Sequence, residues 1–215
     1  MSRMTFTTTA TNRPDILDRT YGSFNDNIVG LSLKDCELII NIDPLPDGDN
    51  IDTVVDVASK YFKNVTAITP KEANFTTAIN TIWDHAKSDF IFHLEDDWIL
   101  REKVDLNSII KKLDDNPKMV QCVLRAYKYK YDKMALSPSV IKKRLYSHIA
   151  GKLNVNLNPE IQLRDLKVTK YKFYSNTIGV YGNNPVVEDI GRDWIEKSGF
   201  RRPDKKAHFN SWVKK

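Results

Sequence analysis

The sequence of 215 residues is 41% hydrophobic and 28% charged, which is typical of a globular protein and excludes an intrinsically disordered chain. No window approaches the roughly 20 apolar residues of a membrane span. The N-terminus lacks the apolar core of a signal peptide, so we expect a cytoplasmic protein with no transmembrane segment. The length suits one sizeable domain spanning residues 1–215.

The charge is distributed unevenly along the chain. Residues 1–100 contain 8 basic and 16 acidic residues, a net charge of −8, whereas residues 101–215 carry a net charge of +13. The basic half is a candidate docking surface for a polyanionic partner, and a solvated basic face is the alternative.

Predicted strands and helices alternate along the chain. We predict strands at 4–9, 36–43, 65–69, 90–95, 119–124 and 167–180, and helices at 14–27, 51–62, 73–87, 106–114 and 185–197. This alternation predicts an α/β fold with a mostly parallel central sheet flanked by helices. In such sheets ligands gather at the carboxyl ends of the strands.

Three consecutive carboxylates, Glu95, Asp96 and Asp97, follow the apolar strand 90–95. Like charges this close in a crevice raise each other's pKa unless a cation lies beside them. Carboxylate oxygens suit Mg²⁺ and Mn²⁺, whose sites in proteins are commonly completed by substrate phosphates. The triplet therefore predicts a divalent metal site for a nucleotide, and the alternative is a solvated corner that caps the next segment.

Basic residues alternate with tyrosines between residues 125 and 152. Such a mixture is typical of surfaces that hold phosphates while aromatic rings stack on bases. The candidate contacts are Arg125, Lys128, Lys130, Lys142, Lys143 and Arg144.

Three features of the first hundred residues resemble the nucleotide-sugar domain of GT-A glycosyltransferases, especially family-two-like ones. They are Thr11-Asn12-Arg13 before a helix, Asp43 at the end of the second strand, and the run from Ala78 to Trp98. That run includes the acidic triplet, which resembles the family's Asp-x-Asp metal motif, with Glu95 in the first position.

The resemblance implies a single GT-A domain with a Rossmann-like sheet. Residues 1–100 would form its nucleotide-sugar-binding half, and residues 101–215, with the six basic residues above, its smaller acceptor-binding half.

The resemblance also assigns roles to residues. Asp43 would accept hydrogen bonds from uracil or ribose, Arg13 would hold the base or the diphosphate, and Glu95 or Asp96 would approach the ribose. Asp97 would ligate a Mn²⁺ or Mg²⁺ ion between the phosphates of a UDP-sugar. The residues predicted to bind the nucleotide sugar are Thr9, Arg13, Asp43, Asn80, Glu95 and Asp96. The alternatives are a surface role for Arg13 and turn initiation for Asp43.

An inverting transfer needs a general base for the acceptor hydroxyl. GT-A enzymes of this kind commonly place an Asp or Glu at a helix start, and the resemblance points to Asp189 first and Glu188 second. The alternative is that both carboxylates only complement the helix dipole. His208 would complete the metal shell and favour Mn²⁺, and its alternative is an ordinary surface position.

The sequence thus predicts a metal-dependent glycosyltransferase that moves a sugar from a UDP-sugar to a hydroxyl. The compact size and basic second half resemble small phage enzymes that glycosylate hydroxymethylcytosine in DNA, which must flip the base out of the duplex in the host cytoplasm. The alternatives are a surface-polysaccharide or lipid-linked acceptor, and a non-enzymatic nucleic-acid-binding domain.

Overall fold

The computed structural model describes residues 4–46, 48–124, 134–165, 178–180, 186–201 and 213–214. The strands are β1 (Met4–Thr11), β2 (Ile28–Val29), β3 (Glu37–Asp43), β4 (Asn64–Ile68), β5 (Phe90–Glu95), β6 (Trp98–Leu100), β7 (Val104–Asp105), β8 (Gln121–Val123), β9 (Ser139–Lys142), β10 (Ile178–Val180), β11 (Val187–Asp189), β12 (Phe200–Arg201) and β13 (Val213–Lys214). The helices are α1 (Pro14–Asn27), α2 (Ile51–Tyr61), α3 (Phe75–His85), α4 (Leu106–Asp115), α5 (Lys143–Ile149), α6 (Pro159–Asp165) and α7 (Gly191–Ser198).

The central sheet has seven strands in the order β10-β8-β9-β5-β1-β3-β4. Strands β4, β3, β1 and β5 run parallel, whereas β9 is antiparallel to both β5 and β8. This architecture confirms the predicted α/β fold with a mostly parallel sheet. The carboxyl ends of β1, β3 and β5 meet at one edge, where Thr11 pairs with Asp43 and Thr9 pairs with Glu95.

Both faces of the sheet are covered by apolar helix faces. On one face the rings of Phe6 and Phe92 stack with centroids 4.8 Å apart, and Phe24 of α1 packs edge-on against Phe92. On the other face Trp83 of α3 packs in one buried cluster with Ile91. Since each buried aromatic or aliphatic side chain contributes roughly 1.5–3 kcal/mol, these layers hold the strand ends in fixed positions.

Polar caps set where several helices begin. The Asn50 side chain accepts a hydrogen bond from the amide of Asp52, and the Asn74 side chain accepts one from the amide of Thr77. The Asn74 cap starts α3 at Phe75, two residues later than predicted from the apolar pattern. None of the helices in the described ranges has the length and hydropathy of a membrane span.

Asn80 does not lie in a ligand site, contrary to the prediction that it binds the nucleotide sugar. It is buried in α3, where its Nδ2 donates to the Leu153 carbonyl at 2.9 Å and its Oδ1 accepts from the Leu153 amide at 3.2 Å. Because both ends of the amide are used by the chain itself, Asn80 ties the segment before α6 to α3.

The second half of the chain differs most from the predicted elements. The basic run of residues 125–152 contains strand β9 and helix α5, and its charge pattern predicted neither element. Only 178–180 of the predicted strand 167–180 lies among the described residues. The helix predicted at 185–197 begins at Gly191, because residues 187–189 instead pair with β6 in a small antiparallel sheet.

Candidate functional site at the carboxyl ends of the strands

A cleft of about 130 Å³ opens at the edge where β1, β3 and β5 end. It brings together six of the predicted residues: Thr9, Arg13, Asp43, Glu95, Asp96 and Asp97. The remaining lining residues are Ala10, Thr11, Phe75, Asn158 and Glu160. The parallel strand order explains the convergence, since consecutive parallel strands end at the same edge.

Asp43 forms the β3 side of the cleft. Its Oδ1 accepts a hydrogen bond from Asn41 Nδ2 at 2.7 Å, and its Oδ2 accepts one from the Asn74 amide at 3.2 Å. Burial raises the pKa of Asp43 to about 6, although both hydrogen bonds act in the opposite direction. The side chain is thus a fixed acceptor beside the ring of Phe75 that also lines the cleft.

Asp96 connects three residues at the bottom of the cleft by hydrogen bonds. Its Oδ1 accepts from Arg13 Nη2 at 2.6 Å, and its Oδ2 accepts from the Thr11 amide at 2.9 Å. Its backbone carbonyl accepts from Thr20 Oγ1 at 2.6 Å. Because Arg13 and Thr11 bind both of its carboxylate oxygens, Asp96 anchors the turn after β5 to the segment after β1. The approach of Glu95 or Asp96 to the ribose stays a prediction.

Arg13 is a buried cation, not the surface residue of the alternative hypothesis. Only 4% of its surface is exposed, its guanidinium lies 4.6 Å from the centre of the Trp194 ring, and its Nη2 is 3.6 Å from Asp97 Oδ2. Burial lowers the pKa of Arg13, but the charges of Asp96 and Asp97 outweigh that effect and raise it overall.

Two donor groups of Arg13, Nε and Nη1, are buried without a hydrogen-bond partner among the described residues. Leaving a buried donor unsatisfied costs about 1–3 kcal/mol, and more for a charged group. Since Arg13 lines the cleft, these donors suit an anionic ligand bound there.

Glu95 and Asp97 are the outer carboxylates of the acidic triplet, and both line the cleft. Burial raises the pKa of Glu95 well above its usual range, and the charges of Asp97 and then Glu160 raise it further, against a hydrogen bond from Trp98 Nε1 at 2.9 Å. In the described part of the chain, no three His, Cys, Asp or Glu side chains are arranged to hold an ion. This donor set therefore fits a hard divalent cation only when substrate oxygens complete its shell.

The two candidate bases lie in strand β11, not at the helix start where they were predicted. Asp189 pairs with Trp98 and Glu188 with Ile99 of β6, and α7 follows from Gly191. Neighbouring strand residues point to opposite faces. The Glu188 carboxylate is exposed and accepts from Arg101 Nε at 2.6 Å, whereas Asp189 Oδ1 accepts from the Gly191 amide at 3.0 Å.

Gly191 lets the segment after Asp189 approach Asp97, the candidate metal ligand. A Cβ atom at this position would lie 2.0 Å from Asp97 Oδ2, so only glycine allows the approach. The Ile190 amide also donates to the Asp97 carbonyl at 2.9 Å. The amino end of α7, where a helix favours negative charge, therefore lies beside the Asp97 carboxylate.

The basic residues that can be placed lie far from the cleft, and their role in binding the acceptor stays a prediction. Lys142 pairs with Phe90, at the opposite end of β5 from Glu95, which is roughly 17 Å away at about 3.3 Å per residue. Lys142 and Lys143 Nζ donate to the carbonyls of Asn116 and Lys87, and Arg144 donates to that of Met119. Arg125, Lys128, Lys130 and the predicted metal ligand His208 lie outside the described residues.

Sequence reasoning missed five residues of the site: Phe75, Asn158, Glu160, Gly191 and Trp194. Asn158-Pro159 is a recognisable helix start, with a capping residue followed by proline in the first turn. That signal locates α6, but no local pattern relates α6 to strands more than sixty residues earlier.

We expect Gly191→Ala to lower the free energy of unfolding by about 1–3 kcal/mol, because the new methyl group would overlap the Asp97 carboxylate. Urea denaturation followed by circular dichroism measures the change. Gly22→Ala in α1 is the matched control, since its methyl group would lie 3.3 Å from the hydroxyl of Tyr61 and would not overlap it. A Gly191→Ala protein as stable as the wild type would contradict the close approach.

Asp43 makes the stability of the protein depend on pH. Its pKa rises from 3.8 to about 6 on folding, so the folded state binds the proton more tightly than the unfolded state between these values. The stability due to this group is therefore lost as the pH rises through that window, by at most about 3 kcal/mol at roughly 1.4 kcal/mol per pKa unit.

We expect Asp43→Asn to show a smaller decline in unfolding free energy than the wild type between about pH 4 and about pH 7, measured by urea denaturation. Loss of the Asn74 hydrogen bond costs the same at both pH values and cancels in the comparison. The exposed Asp56→Asn is the control and keeps the wild-type decline. Equal declines in wild type and Asp43→Asn would show that Asp43 ionises normally.

Solved structures support the fold. A mannosyltransferase from Pyrobaculum calidifontis in complex with GDP-Man and Mn²⁺ has a TM-score of 0.63 and 13% identity over 84% of this chain and 55% of its own. S. aureus TarS 1-349 in complex with UDP-GlcNAc has a TM-score of 0.55 and 13% identity over 86% of this chain and 58% of its own. A cytidylyltransferase from Leptospira borgpetersenii has a TM-score of 0.51 and 11% identity, covering 90% of this chain and 84% of its own.

The chain thus spans little more than half the length of the mannosyltransferase and TarS chains. No curated protein matches it. A family profile does match, over residues 5–178, which include every strand that meets at the cleft, and its description is glycosyl transferase family 2. The chain belongs to glycosyl transferase family 2.

Proposed function

We propose that this protein transfers a sugar from a UDP-sugar to a hydroxyl group, with Mn²⁺ or Mg²⁺ as cofactor. The observation that carries the proposal is the pairing of Arg13 with Glu95 and Asp97 in one cleft. Arg13 offers two unsatisfied buried donors to an anion, while the two carboxylates offer oxygens to a cation. A metal-bound diphosphate is the ligand that meets both requirements at once.

The other residues of the cleft are assigned by the same reasoning. Asp43, with one oxygen on Asn41 and the other on the Asn74 amide, would accept hydrogen bonds from the base or the ribose. Arg13 would donate to the diphosphate. When bound, the metal supplies charge neutralisation to the nucleoside diphosphate that leaves. UDP-GlcNAc and GDP-Man in the two related structures support a nucleotide-sugar donor of this kind.

Asp189 is the proposed general base of an inverting transfer. The acceptor O–H proton would pass to an Asp189 oxygen as the acceptor oxygen bonds to the anomeric carbon and the bond from that carbon to the phosphate oxygen breaks. The packing of Gly191 on Asp97 supports this assignment, because Asp189 lies only two residues before Gly191. Glu188 is the second candidate, and its exposed carboxylate accepts a hydrogen bond from Arg101.

The acceptor is the least supported part of the proposal. Hydroxymethylcytosine in DNA is still a prediction, and the three basic residues that can be placed do not support it, because they lie at the opposite end of β5. A surface polysaccharide or a lipid-linked intermediate meets the same chemical requirement, which is one free hydroxyl beside Asp189.

A thermal-shift screen of UDP- and GDP-sugars with and without Mn²⁺ tests the donor site. A UDP-sugar at a hundred times its dissociation constant stabilises the protein by about 2.7 kcal/mol, and we expect this only when Mn²⁺ is present. Asp97→Asn should abolish the Mn²⁺-dependent shift, whereas the exposed Asp56→Asn should retain it. Binding of no nucleotide sugar, or an unchanged shift in Asp97→Asn, would refute the proposal, and a preference for GDP-sugars would refute the UDP assignment.

The steady-state rate of UDP release, measured with an acceptor that supports turnover, tests whether Asp189 is the general base. We expect Asp189→Asn to reduce kcat by about 10²- to 10⁴-fold, because the acceptor proton loses its recipient. The affinity for the UDP-sugar should stay unchanged, since Asp189 does not line the donor cleft. A larger loss in Glu188→Gln than in Asp189→Asn would move the base to Glu188.

A further inference from the structure

Glu160 is a fifth carboxylate of the donor cleft, beside Asp43 and the triplet Glu95, Asp96 and Asp97, and has no role in the function proposed above. It lies in the first turn of α6, where its amide donates to Asn158 Oδ1 at 2.8 Å. Glu160 of α6 and Glu95 of β5 line the same cleft, in which the diphosphate and the sugar would lie.

Hydrogen bonds fix the segment that precedes α6 on helix α3. Thr76 Oγ1 donates to the Leu157 carbonyl at 2.6 Å, and Asn74 Nδ2 donates to the Val155 carbonyl at 3.2 Å. The Asn80 amide holds Leu153 from both sides. The amide of Asn74, at the start of α3, also donates to Asp43. Helix α3 is therefore attached both to Asp43 and to the segment before Glu160.

The described residues that line the cleft include more carboxylates than cations. Arg13 is the one cation among the described residues that line it, and its Nη2 is taken by Asp96. Its two remaining donors suit the phosphates of the donor, and the metal adds positive charge at the same place. With Glu95 and Asp97 assigned to the metal, the sugar beyond the phosphates would meet the carboxylate of Glu160.

Resting on the proposed function, we propose that Glu160 contacts the transferred sugar and makes the cleft select an uncharged sugar over a uronic acid. A carboxylate accepts hydrogen bonds from sugar hydroxyls. A carboxylate on the sugar would instead face Glu160, and like charges in a desolvated cleft repel. Specificity would then come as much from rejecting anionic sugars as from binding neutral ones.

Isothermal titration calorimetry in the presence of Mn²⁺ tests this selection. The probes are UDP, UDP-glucose and UDP-glucuronate, the last two differing only in a hydroxymethyl or a carboxylate at C6. UDP-galactose and UDP-galacturonate form a second pair, so that the configuration at C4 does not decide the result. The wild-type protein should bind the neutral member of a pair at least tenfold more tightly than its acidic partner.

Glu160→Gln keeps the shape of the side chain and removes its charge. We expect it to reduce the discrimination at least threefold while the affinity for UDP stays within twofold of the wild type. Glu102→Gln, which is exposed and outside the cleft, is the matched control and should keep the full discrimination. Circular dichroism confirms that each variant is folded.

The outcomes separate the two proposals. Failure of UDP to bind the wild-type protein with Mn²⁺ would refute the donor site itself. Binding of UDP with no discrimination in the wild type, or with full discrimination in Glu160→Gln, would refute the role of Glu160 alone. A loss of UDP affinity in Glu160→Gln would make this residue a ligand of the nucleotide or the metal, and would equally overturn its assignment to the sugar.

Discussion

The buried ion pair between Arg13 and Asp96 is the interaction on which the rest of the site depends. It joins the segment after β1 to the turn after β5, and the same carboxylate also receives the Thr11 amide. Removing one member of such a pair costs about 3–5 kcal/mol, because the other is left charged and buried. The middle residue of the acidic triplet is therefore structural, and it fixes the two outer residues, Glu95 and Asp97, where they face the cleft.

The cleft keeps its charges at a cost to stability, which is common for a site prepared for a ligand. Asp43 and Glu95 are both harder to ionise than in water because burial raises the pKa of each. Arg13 keeps two donors unsatisfied among the described residues. A diphosphate bound with its metal ion would give these buried groups partners. The free energy lost by burying them without partners would then add to the affinity for the ligand.

Much of the fold could be predicted from the sequence as far as Glu95, because apolar periodicity and turn residues agree there with the tertiary structure. After Glu95 the predicted helix at 106–114 and strand at 119–124 correspond to α4 and β8, but the elements that follow differ from the prediction. Residues 187–189 were predicted as helix, but pairing with the three-residue strand β6 outweighs local propensity. Asn80 was predicted as a ligand contact, whereas it serves the backbone of Leu153, which is 73 residues away. Glu160 enters the site by a tertiary contact of this kind, which local pattern cannot reveal.

The stacking of Trp194 on Arg13 has a consequence for evolution and for protein engineering. Trp194 lies on α7, next to the segment with the proposed base, while Arg13 belongs to the donor side of the cleft. Together with the contact of Gly191 on Asp97, this makes four positions mutually dependent. Changes at them will not combine additively. Altering donor preference in this scaffold thus calls for libraries that vary positions 13, 97, 191 and 194 as one set.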